Sequence, residues 1–392
     1  MKQNLHRISH HETVLLEGFE YKLAAKLAVS SLKALILAGG FGTRLRPLSC
    51  TRPKILFPII NKPLVEWIIE KLYESNFKEV IFAVNGQTAF HLRQAKFSRN
   101  GMRIVYSCDP PRKPLGTGGP IKRAERILGK EKFLVINGDI FADINYLEII
   151  KMHEEKNAVA TIALHRVKDP SRYGVAELTE DGRIKNFIEK PPREFSPSNL
   201  INAGVYVFSP EIFSYIPEGM KVSLEREVFP KLVKEGKLYG YMFDGFWTDI
   251  GKIEDYLNVN RILLRKVNDR WQNTVKGVGK IIQPTFCGER SSIREGSVIG
   301  PYTVLGRNVN IGKNVQIKNS VIFEGVSIAD SCIINGAIIG ENAIIGENVE
   351  ISENCVIGDH VVIGDHVKLA RGVTICPAKE VYESVTTSTC IL

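Results

Sequence analysis

From Ile293 onward an aliphatic residue returns every sixth position, at Ile293, Ile299, Leu305, Ile311 and Ile317. After two five-residue steps, through Ile322 and Ile328 to Ile333, the period resumes at Ile339, Ile345, Ile351, Ile357, Ile363, Leu369 and Ile375. A small or β-branched residue follows four positions later at Val309, Val315, Val321, Val326, Ala337, Ala343, Val349, Val361, Val367 and Val373. Six residues are too few for a helical repeat but fit one short strand plus a turn, so three units close one coil of a parallel β-helix. The fifteen aliphatic positions predict about five coils. Gly follows the aliphatic at 300, 306, 312, 340, 346, 358 and 364, and the expectation is that these glycines take the bends.

Upstream the period changes. Residues 33–38 (KALILA) form an apolar strand, and Asn61-Lys62-Pro63 opens a helix that sets Leu64, Ile68 and Leu72 on one face. Further strands are predicted over 79–85, 103–108 and 133–136, and a helix over 121–128. Strands alternating with helices predict an α/β domain, a Rossmann-like, mostly parallel sheet with ligands at the carboxyl ends of its strands. The chain divides into an N-terminal extension (1–32, helical over 21–32), an α/β domain (33–265), a linker (266–290), the β-helix (291–380) and a tail (381–392).

Composition narrows the class. With 44% hydrophobic and 24% charged residues, the 392-residue chain is globular. No apolar run reaches the ~18 residues of a membrane span, so no membrane association is expected. Residues 1–32 hold Glu12, Glu17 and Glu20 and no uncharged apolar core, which excludes a secretory signal. Seven cysteines without a CxxC pair read as thiols in a reducing, cytoplasmic setting. The net charge of +9 divides as +1 over 1–32, +12 over 33–290 and −4 over 291–392. A basic middle segment suits anionic ligands. Without basic runs interleaved with aromatics, the expected anion is a small phosphate rather than nucleic acid.

The candidate chemistry begins where the first strand meets GGFGTRLRP, residues 39–47. A strand running into a glycine turn brings backbone N–H groups of Ala38, Gly39, Gly40, Gly42 and Thr43 close to an anion. Arg44, Arg46, Arg52 and Lys54 follow, enough cationic charge to neutralise a triphosphate. No GK[ST] follows, and Leu45 stands where a dinucleotide fingerprint needs its third Gly. Asp139, just after the strand over 133–136, is a candidate Mg²⁺ ligand, because Mg²⁺ takes hard oxygen donors from few protein groups. Leu115-Gly116-Thr117, ahead of the helix over 121–128, offers open amides to a nucleotide base.

The run GGFGTRLRPLSCTRPK, residues 39–54, resembles the signature of sugar-1-phosphate nucleotidylyltransferases. Four further segments agree in order: Arg172-Tyr173-Gly174-Val175, Glu189-Lys190-Pro191, Asn202-Ala203-Gly204 and Phe246-Trp247-Thr248-Asp249. The resemblance implies a nucleotide-diphospho-sugar transferase fold followed by a left-handed hexapeptide β-helix. It also implies a metal held by Asp139 and Asp249, and a sugar phosphate met by Gly174, Glu189, Lys190, Asn202, Ala203 and Gly204. Arg44 is expected on the leaving pyrophosphate, Lys54 at the α-phosphorus and Lys190 on the sugar phosphate. Within the family PLGTGGP at 114–120, SLEREVFP at 223–230 and GFWTDIG at 245–251 look most like mannose-1-phosphate guanylyltransferases, while Ile55 departs from a Pro many relatives carry. Glucose-1-phosphate thymidylyl or uridylyl transfer, a non-catalytic nucleotide-sugar binder, and an acyltransferase β-helix using His360 or His366 are the alternatives. The implied partners are a nucleoside triphosphate and a sugar-1-phosphate, and the outer faces of the β-helix suit a homo-oligomer.

Overall fold

The computed structural model describes residues 31–392 except 41, 96, 112, 268–275 and 278. The helix expected over 21–32 lies, but for its last two residues, outside the described residues. Two compact units divide the chain, one of Met1–Gly39, Ile68–Ala89 and Ser98–Trp247, the other of Gly40–Trp67, Phe90–Phe97 and Thr248–Leu392.

The first unit is built on a sheet whose strands we number β1 (Lys33–Leu37), β2 (Glu79–Val84), β3 (Arg103–Cys108), β4 (Phe133–Asn137), β5 (Ala160–Arg166), β6 (Gly174–Leu178), β7 (Ile184–Glu189), β8 (Leu200–Phe208) and β9 (Leu238–Met242). The order is β7-β6-β8-β4-β1-β2-β3, with β5 on β8 and β9 on β5. Strands β4, β1, β2 and β3 run parallel. Leu35, Ile36, Ile81, Phe82, Leu134 and Val135 are fully buried, so successive side chains are covered on both faces, as a layered parallel sheet requires.

The sheet as a whole is mixed: beyond this half only β9 and β5 pair in parallel. Strand β8 is antiparallel to β4, β5 and β6, and β7 is antiparallel to β6. The physical reason is short connection: β6 and β7 are joined by five residues that turn at Gly182 (φ +84), and a link of that length makes a hairpin rather than a crossover. Helix α1 (Leu64–Glu74) starts one residue after Pro63, because Lys62-Pro63 pairs as a two-residue strand with Pro58-Ile59. The helix expected over 121–128 is two short ones, Gly119–Arg123 and Glu125–Leu128. Helix α2 (Tyr146–Glu155) buries His153, whose ring nitrogens lie 2.9 Å from both Thr161 Oγ1 and Ser209 Oγ.

In the second unit, short parallel strands stack into three sheets of seven, six and seven strands. The strands span Lys276–Gly277 to Cys390–Ile391, so the stack holds more coils than the repeat alone predicted. Ile293, Ile299, Leu305 and their successors fill one continuous core with Val309, Val315, Val349 and Val361, consistent with the left-handed β-helix, except that Ile333 is exposed and its neighbour Ile334 takes the inward slot, and Val321 is not part of this core. Cys332 and Cys355 take two inward slots of the repeat, and all seven cysteines are free thiols.

The expected role of the repeat glycines needs correction. Of the seven, only Gly300 has a positive φ; the left-handed corners are taken mostly by asparagines such as Asn308, Asn314, Asn342, Asn348 and Asn354, by His360 and His366, and by other glycines, Gly296, Gly325, Gly336 and Gly372. Asn tolerates this conformation because its short polar side chain bonds locally. Gly306 and Gly340 are required for another reason: a Cβ there would come within 2.5 Å and 2.6 Å of atoms of the next coil. Helix α3 (Ile253–Val267) belongs to this unit, with Tyr256 packed edge-on against Phe57 (5.7 Å) and Phe323 (6.3 Å). Among the described residues no helix is long and apolar enough to cross a membrane.

Candidate nucleotide and sugar-phosphate site

In the first unit, β1 delivers Gly39 and β4 delivers Asp139 to the same sheet edge, since Leu37 pairs with Asn137 and Gly138 N–H donates to Leu37 O at 2.9 Å. The Ala38 N–H belongs to the sheet, donating to Ala83 O at 2.9 Å, while Asn85 Nδ2 holds the Gly39 carbonyl at 2.9 Å. The Asn202-Ala203-Gly204 segment interrupts the β8–β5 register as a bulge. Gly204 sits at φ +73, with Asn137 Nδ2 so close that a Cβ would meet it at 2.8 Å. This bulge therefore lies against the end of the strand that carries Asp139. The Trp247 indole donates to Ala203 O at 2.9 Å and fixes the bulge from the other side.

The hairpin brings two more predicted elements face to face, for Gly174 pairs directly with Glu189. A side chain at 174 would strike Phe187 at 2.6 Å and Glu189 Oε2 at 2.9 Å. Burial raises the Glu189 carboxyl above its usual range, Glu225 adds to the rise, and Lys190, 3.4 Å away, opposes it. Lys190 itself holds a left-handed backbone (φ +52), an uncommon conformation for lysine that tends to mark functional positions.

One residue escaped the sequence reading. Glu225 accepts from Thr117 Oγ1 and Ser223 Oγ, both at 2.7 Å, and Thr117 Oγ1 in turn accepts from Leu224 N–H at 2.9 Å. The Leu115–Thr117 loop is thus tied to the 222–225 segment, with Val222 N–H on Leu115 O and Gly118 N–H on Val222 O. Gly116 needs its φ of +76 and its missing Cβ, because Val222 O occupies that space. The signal of Glu225 in the sequence is the SLEREVFP run at 223–230.

In the second unit, Gly42 turns at φ +60 into a short 3-10 helix (Thr43–Leu45), and Ser49 Oγ anchors its carbonyl at 2.8 Å. Thr43 and Arg44 are exposed there. A second 3-10 turn, Lys54–Leu56, places Lys54 Nζ 3.7 Å from Asp249 Oδ1, with both side chains largely buried. Gly251 follows so closely that a Cβ would meet Asp249 Oδ2 at 2.9 Å. Among the described residues no cluster of three or more His, Cys, Asp or Glu is arranged as a closed metal cage. Single carboxylates fit Mg²⁺, which binds through one or two carboxylates and substrate phosphates rather than a full protein cage.

The nucleotidyl transferase family matches residues 33–266, and the GMPPB C-terminal domain matches residues 281–391. A probable mannose-1-phosphate guanylyltransferase 2 of Oryza sativa subsp. japonica is 37% identical over 69% of this chain and 75% of its own length. The mannose-1-phosphate guanylyltransferase catalytic subunit beta of Danio rerio is 38% identical over 61% of this chain and 66% of its own length. Among solved structures, HddC from Yersinia pseudotuberculosis complexed with GMP-PN superposes with a TM-score of 0.51 at 27% identity, covering 59% of this chain and 99% of that one. A UDP-glucose pyrophosphorylase complexed with UDP-glucose gives 0.53 at 25% identity, covering 60% and 99%.

Proposed function

Because the chain belongs to the nucleotidyl transferase family, we propose that it joins GTP and mannose-1-phosphate into GDP-mannose with release of pyrophosphate. The observation that carries this reading is Glu225, hydrogen-bonded to Thr117 of the base loop and electrostatically coupled to Glu189 of the sugar element. That coupling joins a nucleotide element and a sugar element within one unit. The choice of guanine and mannose is supported by relatives at 37% and 38% identity that bear that activity in their names.

A phosphate oxygen of the sugar-1-phosphate attacks the α-phosphorus in line. The bond to the bridging oxygen breaks, and pyrophosphate leaves with the electron pair. The attacking oxygen is already anionic, so no general base is needed. The task is to offset repulsion between two anions and hold the attack line. Arg44 faces the leaving pyrophosphate, Lys54 the charge building at the α-phosphorus, and Lys190 the incoming sugar phosphate. The amides of Gly39, Gly40 and Gly42 cradle the triphosphate. Gly174, Glu189, Asn202, Ala203 and Gly204 line the sugar side. Asp139 and Asp249 are assigned as the carboxylates that hold Mg²⁺, which when bound screens phosphate charge and polarises the α-phosphate.

His360 and His366 serve as corner residues equivalent to Asn342, Asn348 and Asn354, so nothing in their setting favours acyl transfer. The free thiols fit a cytoplasmic setting, and self-association through the β-helix is expected to show in sedimentation. The deciding experiment is a matrix of triphosphates against sugar-1-phosphates with Mg²⁺, read by pyrophosphate release. GTP with mannose-1-phosphate should give the highest kcat/KM; a preference for UTP or dTTP with glucose-1-phosphate would overturn the assignment.

A further inference from the structure

Three aspartates of the β-helix share one local task. Asp330, Asp359 and Asp365 each use Oδ1 to accept a backbone N–H from the preceding coil, at Lys313 (2.8 Å), Glu341 (2.7 Å) and Glu347 (2.7 Å). Asp365 is exposed and Asp330 half-buried, but Asp359 retains only 2% of its surface. The difference is its second oxygen. Asp359 Oδ2 accepts from Thr51 Oγ1 at 2.6 Å and from Arg52 Nη2 at 2.7 Å.

Arg52 is held on further sides. Glu341, one coil before Asp359, also pairs with its guanidinium. The Phe323 ring lies beneath it at 5.3 Å, and Tyr256 of α3 packs against that ring. The cation is thus fixed by two carboxylates and one aromatic face in a largely buried setting, where geometry is narrowly defined. Only Pro53, with its restricted φ, separates Arg52 from Lys54.

We propose that Asp359, assisted by Glu341, is a positioning residue for the reaction: the β-helix grips the phosphate loop at Thr51 and Arg52 and thereby sets the place of Lys54. The proposal rests on the role given to Lys54 above. It assigns the β-helix a task in turnover that requires no active site of its own. A displacement of about 1 Å in a charged group costs about 100-fold in rate, so losing the grip is expected to reduce kcat by about 10- to 100-fold.

Asp359→Asn removes the charge while keeping an oxygen for the Glu341 N–H, and Asp365→Asn is the matched control. Hydrogen exchange over residues 48–57 should quicken about tenfold in Asp359→Asn, with coils at 333–351 still protected. The kcat for pyrophosphate release should fall as stated with KM for sugar-1-phosphate changed less than about threefold, and Asp365→Asn should alter neither readout. Arg52→Gln combined with Asp359→Asn should be no worse than the poorer single variant, as one shared interaction demands. Unchanged exchange in the loop would refute the grip. Faster exchange with normal kcat would refute the positioning of Lys54. If the unaltered enzyme released no pyrophosphate from any pair of substrates, the transferase reading would fall while the exchange result still decided the grip.

Discussion

Lys54 Nζ stands 3.7 Å from Asp249 Oδ1, within ion-pair reach yet beyond hydrogen-bond length. The two come from segments far apart in the chain and share one largely buried neighbourhood. At this distance the cation and the carboxylate attract each other without being locked together, so each remains able to meet a further charged partner.

Lys54→Ala should lower kcat by about 100- to 1,000-fold, the range seen when one charge-stabilising donor is removed. The melting temperature should move by only a few degrees. Stopped assays of pyrophosphate beside thermal melts check this, and an equal collapse of both would make Lys54 a structural residue.

For the carboxylates, Asp139→Asn and Asp249→Asn should each cut turnover by on the order of 1,000-fold and raise the Mg²⁺ concentration needed for half-maximal rate. Circular dichroism should remain that of the folded chain. Near-normal activity in either variant at low Mg²⁺ would remove that residue from the metal assignment.

Gly116→Ala forces a side chain onto Val222 O at a backbone φ of +76. The loop must shift, so KM for the triphosphate should rise at least about tenfold, with a smaller effect on KM for sugar-1-phosphate. Equal effects on both constants would mean that the loop serves the whole site and not the base.

Burial, with Lys132 adding to it, pushes His153 down to about 4 from 6.5. Ser209 Oγ donates to Ala158 O and so accepts from the His153 Nε2–H, while Nδ1 accepts from Thr161 Oγ1. The unfolded chain therefore binds a proton more readily between about pH 4 and pH 6.5. Stability contributed by the neutral ring is full above that window and is lost as pH falls through it, by about 3 kcal/mol in all. Melts from pH 4 to pH 7 should be steeper in the unaltered protein than in His153→Gln; identical slopes would contradict the assignment.

Much of this was legible beforehand because it depends on local order. The Ile293–Ile375 spacing reveals the coils because nearly every unit turns one aliphatic into the core, Ile334 replacing Ile333 in that place, while Ser291, Ser297, Thr303 and Ser320 are buried as well. Gly39 and Asp139 share an edge because the parallel strands β1 and β4 point the same way. What was missed depends on contacts between distant segments. Nothing near Glu225 announces that it accepts from Thr117, and nothing near Asp359 distinguishes it from Asp365, which has the same Gly-Asp-His neighbours. The repeat glycines misled for a related reason: their lack of a side chain answers the backbone of the next coil, which the six-residue pattern does not display.

A stack in which each layer touches only the layers above and below it behaves as a one-dimensional object. Removing layers one at a time from the carboxyl side would barely disturb those that remain until the cut reached the layer bearing Asp359. Loss of catalysis along such a series should then arrive as a single step, whose location marks how far the scaffold must extend to brace its distant partner Arg52.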